Sequence, residues 1–215
     1  MIDLLSTQPL LFFTLLLGIV FALTVHEFSH AFVAHLLGDP TAERAGRLTL
    51  NPLKHLDPVG FLMLLVAWIG FAKPVPYNPS YLRDHVRGPV LIGLAGPLSN
   101  LAFAIVSAVL LKLLLPLLGE MNLLTQFLYL ITIINVNLAV FNLIPIPPLD
   151  GSKVLFAFLT GPQWNRLRYS LETQGPIILI VFILLDQLSG FGIFSSILQY
   201  SSAAFFRLMG LGSIF

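Results

Sequence analysis

Two histidines with a glutamate between them lie near the end of the first long apolar stretch of the chain. The residues are His26, Glu27 and His30. Residues four apart on an α-helix share one face, so both imidazoles can reach a single metal ion. Glu27 is placed to take a proton from a water molecule bound to that metal. The spacing therefore predicts a metal centre with hydrolytic chemistry.

The surroundings of this motif separate it from a chance match to a short pattern. Residues 8–25 contain no charged side chain, so the motif is expected at the depth of a lipid bilayer. An ionisable cluster within a membrane is energetically costly and is by default a functional-site hypothesis. A lone transmembrane histidine is more often structural, but this pair with its intervening glutamate and a distant buried aspartate favours a metal site.

The composition is that of an integral membrane protein. Of the 215 residues, 57% are hydrophobic and 10% are charged, which lies outside the range of soluble domains. The lack of cysteine removes disulfides and thiolate ligands, and the net charge of +1 gives no sign of a nucleic-acid partner. We expect one domain over residues 1–215, with a core at about 7–155 and C-terminal helices at about 163–210, embedded in the lipid bilayer.

Apolar runs and their interruptions predict an all-α polytopic bundle of about five to six transmembrane or re-entrant helices. Long helices are predicted at 7–37, 89–118 and 124–141, and shorter ones at about 175–188 and 191–206.

The segment between the first two long helices has a different character. We expect a small extended or β element at residues 46–50. The prolines of residues 73–79 favour an extended chain. Such a chain near a protease site can pair with a substrate strand. A plain surface connector is the alternative.

The distribution of basic residues predicts the topology. Residues 58–72 are apolar but short for a spanning helix, which suits a re-entrant segment. Nine of the eleven Lys and Arg residues lie in 39–57, 73–88 and 151–173. If 58–72 re-enters, these three segments share the cytoplasmic side. Asp150 then reaches the membrane face where the two histidines lie.

A catalytic zinc ion takes three protein ligands and leaves one position open for water. After the two histidines, the third ligand has to come from a small set of acidic residues: Asp39, Glu43, Asp57, Asp84, Glu120, Asp150, Glu172 and Asp186. Most of these lie in polar loops, where a solvated carboxylate needs no special explanation. Asp150 instead follows an apolar, proline-rich stretch that begins at Ile144, and a carboxylate held there needs a cation.

These motifs resemble the site-2 protease family of intramembrane zinc metalloproteases. The resemblance rests on the HExxH motif at 26–30, on Asn142 followed by Leu149-Asp150-Gly151, and on the Gly93–Asn100 segment between them. The Gly46–Gly60 stretch looks like the small bacterial members of that family.

The resemblance implies that His26, His30 and Asp150 bind one zinc ion per chain and that Glu27 is the general base. It implies that Asn142 positions the substrate or stabilises the oxyanion. A transmembrane protein substrate is expected, at a prokaryotic cell membrane with the active site toward the cytoplasm. A PDZ or CBS regulatory domain does not fit in 215 residues.

Two other functions are compatible with parts of the pattern. A metal-ion transporter also places histidines and acids within the membrane, but it ordinarily needs a continuous polar path. A catalytically silent homologue that only binds membrane proteins would be expected to lose Glu27, which this chain retains.

Other polar residues have simpler interpretations. His35 is expected to face the loop side, while His55 and His85 lie among basic residues and are expected to be solvated. Gly96 and Asn100 are interpreted as helix-packing residues rather than catalytic ones.

Overall fold

The computed structural model of the protein describes residues 1–67 and 70–212. Its helices, in chain order, are α1 (Ile2–Thr7), α2 (Pro9–Leu36), α3 (Thr41–Arg44), α4 (Pro58–Ala67), α5 (Arg87–Leu118), α6 (Leu123–Asn142), α7 (Gly151–Phe158), α8 (Asn165–Ser189) and α9 (Ile193–Leu208).

Among the described residues, four segments are long and apolar enough to span a membrane. They are α2, α5, α6 and the segment Pro162–Ser189, which contains α8. The prediction of an all-α polytopic membrane protein is therefore confirmed.

Helix boundaries follow proline and glycine. Pro9 occupies the first turn of α2, where its missing N–H has no partner to lose. The chain leaves α2 at Gly38, whose φ of +95° favours glycine. The helix predicted at 175–188 begins earlier, at Asn165, because its polar first part is compatible with a helix although it lacks the apolar signal of a membrane span.

Helix α5 lies at the centre of the bundle and packs against both α2 and α6. Small buried residues, including Ala104 and Ala108, allow the close approach that the Gly93–Asn100 segment predicts. Two buried polar contacts join α5 to α6, because Asn100 Nδ2 donates to Asn135 Oδ1 at 2.8 Å and the hydroxyls of Ser107 and Thr132 lie 2.8 Å apart.

Both ends of the predicted re-entrant segment meet at one place. Leu56 and Ala72 form an antiparallel bridge, and the backbone N–H of Lys73 donates to the carbonyl of His55 at 2.8 Å. Helix α4 rises between these ends, and its Leu64 packs in a cluster with Phe12 of α2. The chain thus leaves and returns to the same end of the bundle, as a re-entrant segment does.

The extended element predicted at 46–50 is wrong as a strand. Those residues form turns and bends, and the described residues contain no strand beyond the isolated Leu56–Ala72 bridge. The backbone of 46–50 is held by the side chain of His55, which bonds the carbonyl of Thr49, rather than by a neighbouring strand. Residues 73–78 form neither helix nor strand, in agreement with their prolines.

The three basic segments come together at one end of the bundle. The backbone N–H of Asn78 donates to Asp39 Oδ2 at 2.6 Å, which joins the first segment to the second. A cavity of about 490 Å³ is lined by Tyr77 and His85 of the second segment and by Lys153 and Arg168 of the third. Asp150 lies immediately before α7 at this same end, as the charge distribution predicts.

Candidate metal centre

Three metal-binding side chains meet inside the helical bundle. Asp150 Oδ2 lies 3.1 Å from His26 Nε2 and 3.2 Å from His30 Nε2, and the two Nε2 atoms lie 3.0 Å apart. All three residues are at most 6% exposed. The structure thus brings together the two histidines of α2 and an aspartate 120 residues further along the chain.

The other nitrogen of each ring is fixed by a hydrogen bond. His30 Nδ1 donates to the carbonyl of Ile92 at 2.6 Å, and His26 Nδ1 donates to Asn100 Oδ1 at 2.6 Å. The orientation of the Asn100 amide follows from its own partners, because its Nδ2 donates to Asn135 Oδ1 and to the carbonyl of Ala22. Both histidines therefore carry their proton on Nδ1 and present an Nε2 lone pair to the centre.

This donor set fits a metal ion. Two imidazole lone pairs and a carboxylate oxygen converge in a buried space, where they repel one another unless a cation lies between them. Ligands held tetrahedrally at about 2.0–2.1 Å from zinc lie about 3.3 Å from each other, close to the spacing of these atoms. Histidines that donate their second nitrogen to a carbonyl or amide are typical of metal ligands.

Glycines make the close approach of the elements possible. A Cβ at Gly96 of α5 would lie 2.5 Å from His26 Nε2 and from His30 Nε2. A Cβ at Gly151 would lie 2.2 Å from the carbonyl oxygen of Leu143. Gly96 therefore admits the imidazoles beside α5, and Gly151 lets the chain turn so that Asp150 reaches them.

Lys153 binds the oxygen of Asp150 that faces away from the histidines. Its Nζ donates to Asp150 Oδ1 at 2.6 Å from one turn along α7. The other oxygen, Oδ2, is the one near both Nε2 atoms. The ion pair thus orients the carboxylate and directs a single oxygen at the centre.

Glu27 lies beside the first histidine and faces a buried arginine. Its Oε2 has no hydrogen-bond partner and lies 4.0 Å from Arg47 Nη2. Arg47 itself donates to the backbone carbonyls of Lys73 and Pro74. Burial lowers the pKa of the Arg47 guanidinium, and the negative charge of Glu27 opposes that shift.

His55 is buried beside Arg47, so the expectation that it is solvated is wrong. Its Nδ1 accepts from Arg47 Nη2 at 3.3 Å, and its Nε2 donates to the carbonyl of Thr49 at 2.7 Å. Burial lowers the pKa of His55, and the charge of Arg47 acts in the same direction. The side chain of Arg47 points into the protein, and this orientation cannot be read from its residue type.

Asn142 is placed at the end of α6, where its Nδ2 donates to the carbonyl of Leu138 in its own helix at 2.9 Å. This bond uses one of the two N–H groups of the amide. His35 pairs with Glu43 at 3.1 Å on the exposed loop side, as expected.

Several of the other acidic candidates have structural partners instead of a metal. Their carboxylates accept hydrogen bonds from backbone N–H groups at the beginnings of turns and helices; these residues are Asp39, Asp57, Asp84 and Asp186.

Asn100 is the functional residue that sequence reasoning missed. The sequence indicates a packing residue, and Asn100 does join α5 to α6, but it also holds His26. Its amide lies one turn after Gly96 on the face of α5 that meets the histidines. A fully buried asparagine in an apolar helix, at that spacing from a glycine, is the signal that could have identified it.

Comparison with known proteins agrees with this chemistry. The model of peptidase family M50 matches residues 118–188. YwhC of Bacillus subtilis, named as a candidate zinc metalloprotease, is 39% identical over 182 residues, covering 82% of this chain and 81% of the relative. Rip2 of Mycolicibacterium smegmatis, with a similar name, is 32% identical over 83% of this chain and 69% of the relative. No solved structure matches the chain.

Proposed function

The chain belongs to peptidase family M50 of zinc metalloproteases, and from this premise we propose that it is an intramembrane endopeptidase. It hydrolyses peptide bonds within or near transmembrane segments of membrane-protein substrates. The family supports a protease of the metal-dependent class. The proposal that cleavage occurs inside the membrane depends on where the site lies in the fold.

One observation carries the proposal. The two histidines and Glu27 are buried within α2, a helix long and apolar enough to span the membrane, and Asp150 joins them from the end of the bundle. This position supports cleavage of a peptide bond at the depth of the membrane.

The residues have separate roles in hydrolysis. His26, His30 and Asp150 would hold a zinc ion, which would supply the Lewis acidity that polarises a carbonyl and acidifies water. Glu27 accepts a proton on its unpartnered Oε2 and delivers it to the leaving amine. The free N–H of Asn142 donates to the oxyanion, a contribution whose loss typically costs about 100-fold or more in rate.

The substrate enters as a transmembrane segment that is locally unwound, since a helical peptide bond is protected by its own hydrogen bonds. Residues 73–78 form neither helix nor strand and are linked to Arg47 beside Glu27. Between the bonded carbonyl of Pro74 and the bonded N–H of Asn78, the backbone groups of Val75 and Tyr77 suit pairing with an extended substrate strand. The basic segments at this end favour an orientation with the site toward the cytoplasm, and we expect the membrane to be that of a prokaryotic cell.

Reconstitution tests the proposal directly. The purified protein is placed in liposomes with a panel of membrane-spanning reporter peptides that carry helix-breaking residues, and the products are mapped by mass spectrometry. We expect cleavage within or next to the spanning segment. Glu27→Gln should retain zinc and lose about 100-fold or more of the rate. Glu43→Gln, which alters an exposed glutamate, should cleave like the wild type.

Each competing function predicts a different result. Binding of reporters by the wild type without any cleavage would indicate a silent homologue. Passage of zinc into the liposomes without cleavage would indicate a transporter.

A further inference from the structure

Arg47 forms an ion pair of 4.0 Å with the proposed general base, and it belongs to neither a helix nor the metal-ligand set. The residue is only 4% exposed. It lies after α3, in the basic segment 39–57, yet its guanidinium turns into the protein. Burial of an arginine is costly unless its charge and its donors find partners.

Besides His55 in its own segment, Arg47 has partners from two other places in the fold. Nη1 donates to the carbonyl of Pro74 at 3.0 Å, and Nη2 donates to the carbonyl of Lys73. Nη2 also lies 4.0 Å from Glu27 Oε2, on α2. One side chain thus spans from the proposed substrate-pairing segment to the proposed base.

Glu27 and Arg47 each also carry a buried polar atom that lacks a hydrogen-bond partner. Among the described residues, Glu27 Oε2 and Arg47 Nε are the two buried side-chain atoms that have no hydrogen-bond partner. An unpaired buried polar atom needs an explanation, and an active site is a frequent one. The free Oε2 stays available for a proton, while the charge of Arg47 holds the carboxylate in place without occupying that oxygen.

We propose that Arg47 is a positioning residue that fixes Glu27 and residues 73–78 relative to each other. The charge of the guanidinium orients the carboxylate, and its two N–H arms clamp the carbonyls of Lys73 and Pro74. Arginine suits both tasks because its donors form a planar fork and its charge is permanent. This inference rests on the proposed function for its catalytic consequence, but the clamp itself can be measured without a substrate.

The clamp is tested by a distance measurement. The chain has no cysteine, so spin labels attach only at introduced sites. Leu36→Cys at the exposed end of α2 and Pro76→Cys in the extended segment report the distance between the two elements. We expect a narrow distance distribution in the parent, a broad or displaced one with Arg47→Met, and no change with Arg44→Met. An unchanged distribution with Arg47→Met overturns the clamp.

Kinetics test the effect on the base. Zinc content should stay at the wild-type level in Arg47→Met, since none of the three ligands contacts Arg47. We expect its kcat to fall about 10- to 100-fold, as for other supporting residues around a metal centre. Arg47→Lys retains the charge but not the fork, so it should restore most of kcat while its KM stays above the wild-type value.

The lysine variant keeps the test decisive if Arg47→Met does not fold. Equal kcat in the wild type and Arg47→Met overturns the positioning role. Where only Arg47→Lys folds, a wild-type KM in that variant overturns it, because loss of the fork should raise KM. If the wild type cleaves no reporter while the distances respond as expected, the protease proposal fails and the clamp stands.

Discussion

The Nε2 atoms of His26 and His30 face each other at 3.0 Å, and each ring has its proton on the opposite nitrogen. Two lone pairs at this separation repel in a buried site, and Asp150 Oδ2 adds a negative charge to the same space. The arrangement is stable with a cation between the three atoms.

Removal of the distant ligand should abolish tight zinc binding. Asp150→Ala leaves two histidines, and catalytic zinc sites use three protein ligands. We expect close to one zinc per chain in the detergent-purified wild type and a large loss in the variant, measured by elemental analysis. Glu120→Ala, which alters an exposed acidic residue, is the control and should bind zinc normally. Equal zinc in Asp150→Ala and wild type would mean that the third ligand lies elsewhere.

The asparagine behind His26 should tune the affinity for zinc. Asn100→Ala frees the proton-bearing Nδ1 and leaves the ring without orientation. We expect zinc affinity to fall about 10- to 100-fold, measured by competition with a chelator. Ser107→Ala is a matched control, because it removes another buried α5–α6 polar contact without touching a histidine. Similar losses of affinity in both variants would show that only helix packing is involved.

Sequence reasoning predicts most directly those site residues whose proximity follows from their spacing along one helix. His26 and His30 share a helix face, so their proximity follows from helix geometry alone. The apolar setting and the charge topology single out Asp150 among the acidic residues, but its approach to the histidines depends on how α7 packs on α5 near Gly93, which no local spacing reveals. The contact of Asn100 with His26 joins residues 74 apart, and its residue type alone does not distinguish a ligand support from a packing residue.

Predictions for segments outside the metal centre are limited in the same way, because they depend on tertiary packing. The wrong interpretation of His55 came from its basic neighbours, whereas the fold turns Arg47 inward and covers the imidazole. Helix α8 begins at Asn165 rather than at about 175, because hydropathy detects only the apolar part of a helix whose first part is polar. Residues 46–50 do not form the expected strand, because no other described segment of the backbone pairs with them.

Protonation of His55 should destabilise the protein below about pH 6.5. Burial lowers the pKa of His55 from 6.5 in the folded state, so the fold favours the neutral ring. Its contribution is complete above pH 6.5 and is lost as the pH falls from 6.5 toward the folded-state pKa. We expect the melting temperature of the wild type to fall relative to that of His55→Gln as the pH drops from 7.5 to about 5. A constant difference across this range would contradict the prediction.

A single methyl group on α5 should disrupt the metal centre. In Gly96→Ala, the new Cβ would lie 2.5 Å from His26 Nε2, His26 Cε1 and His30 Nε2. Such contacts force the imidazoles or α5 to move, and the rings are the atoms that bind zinc. We therefore expect zinc content to fall sharply, as in Asp150→Ala, while circular dichroism still reports a helical protein. Gly18→Ala is the matched control, since its Cβ meets only the flexible end of Ile134 at 3.0 Å. Normal zinc content in Gly96→Ala would mean that α5 lies further from α2 in the membrane than it does in this structure.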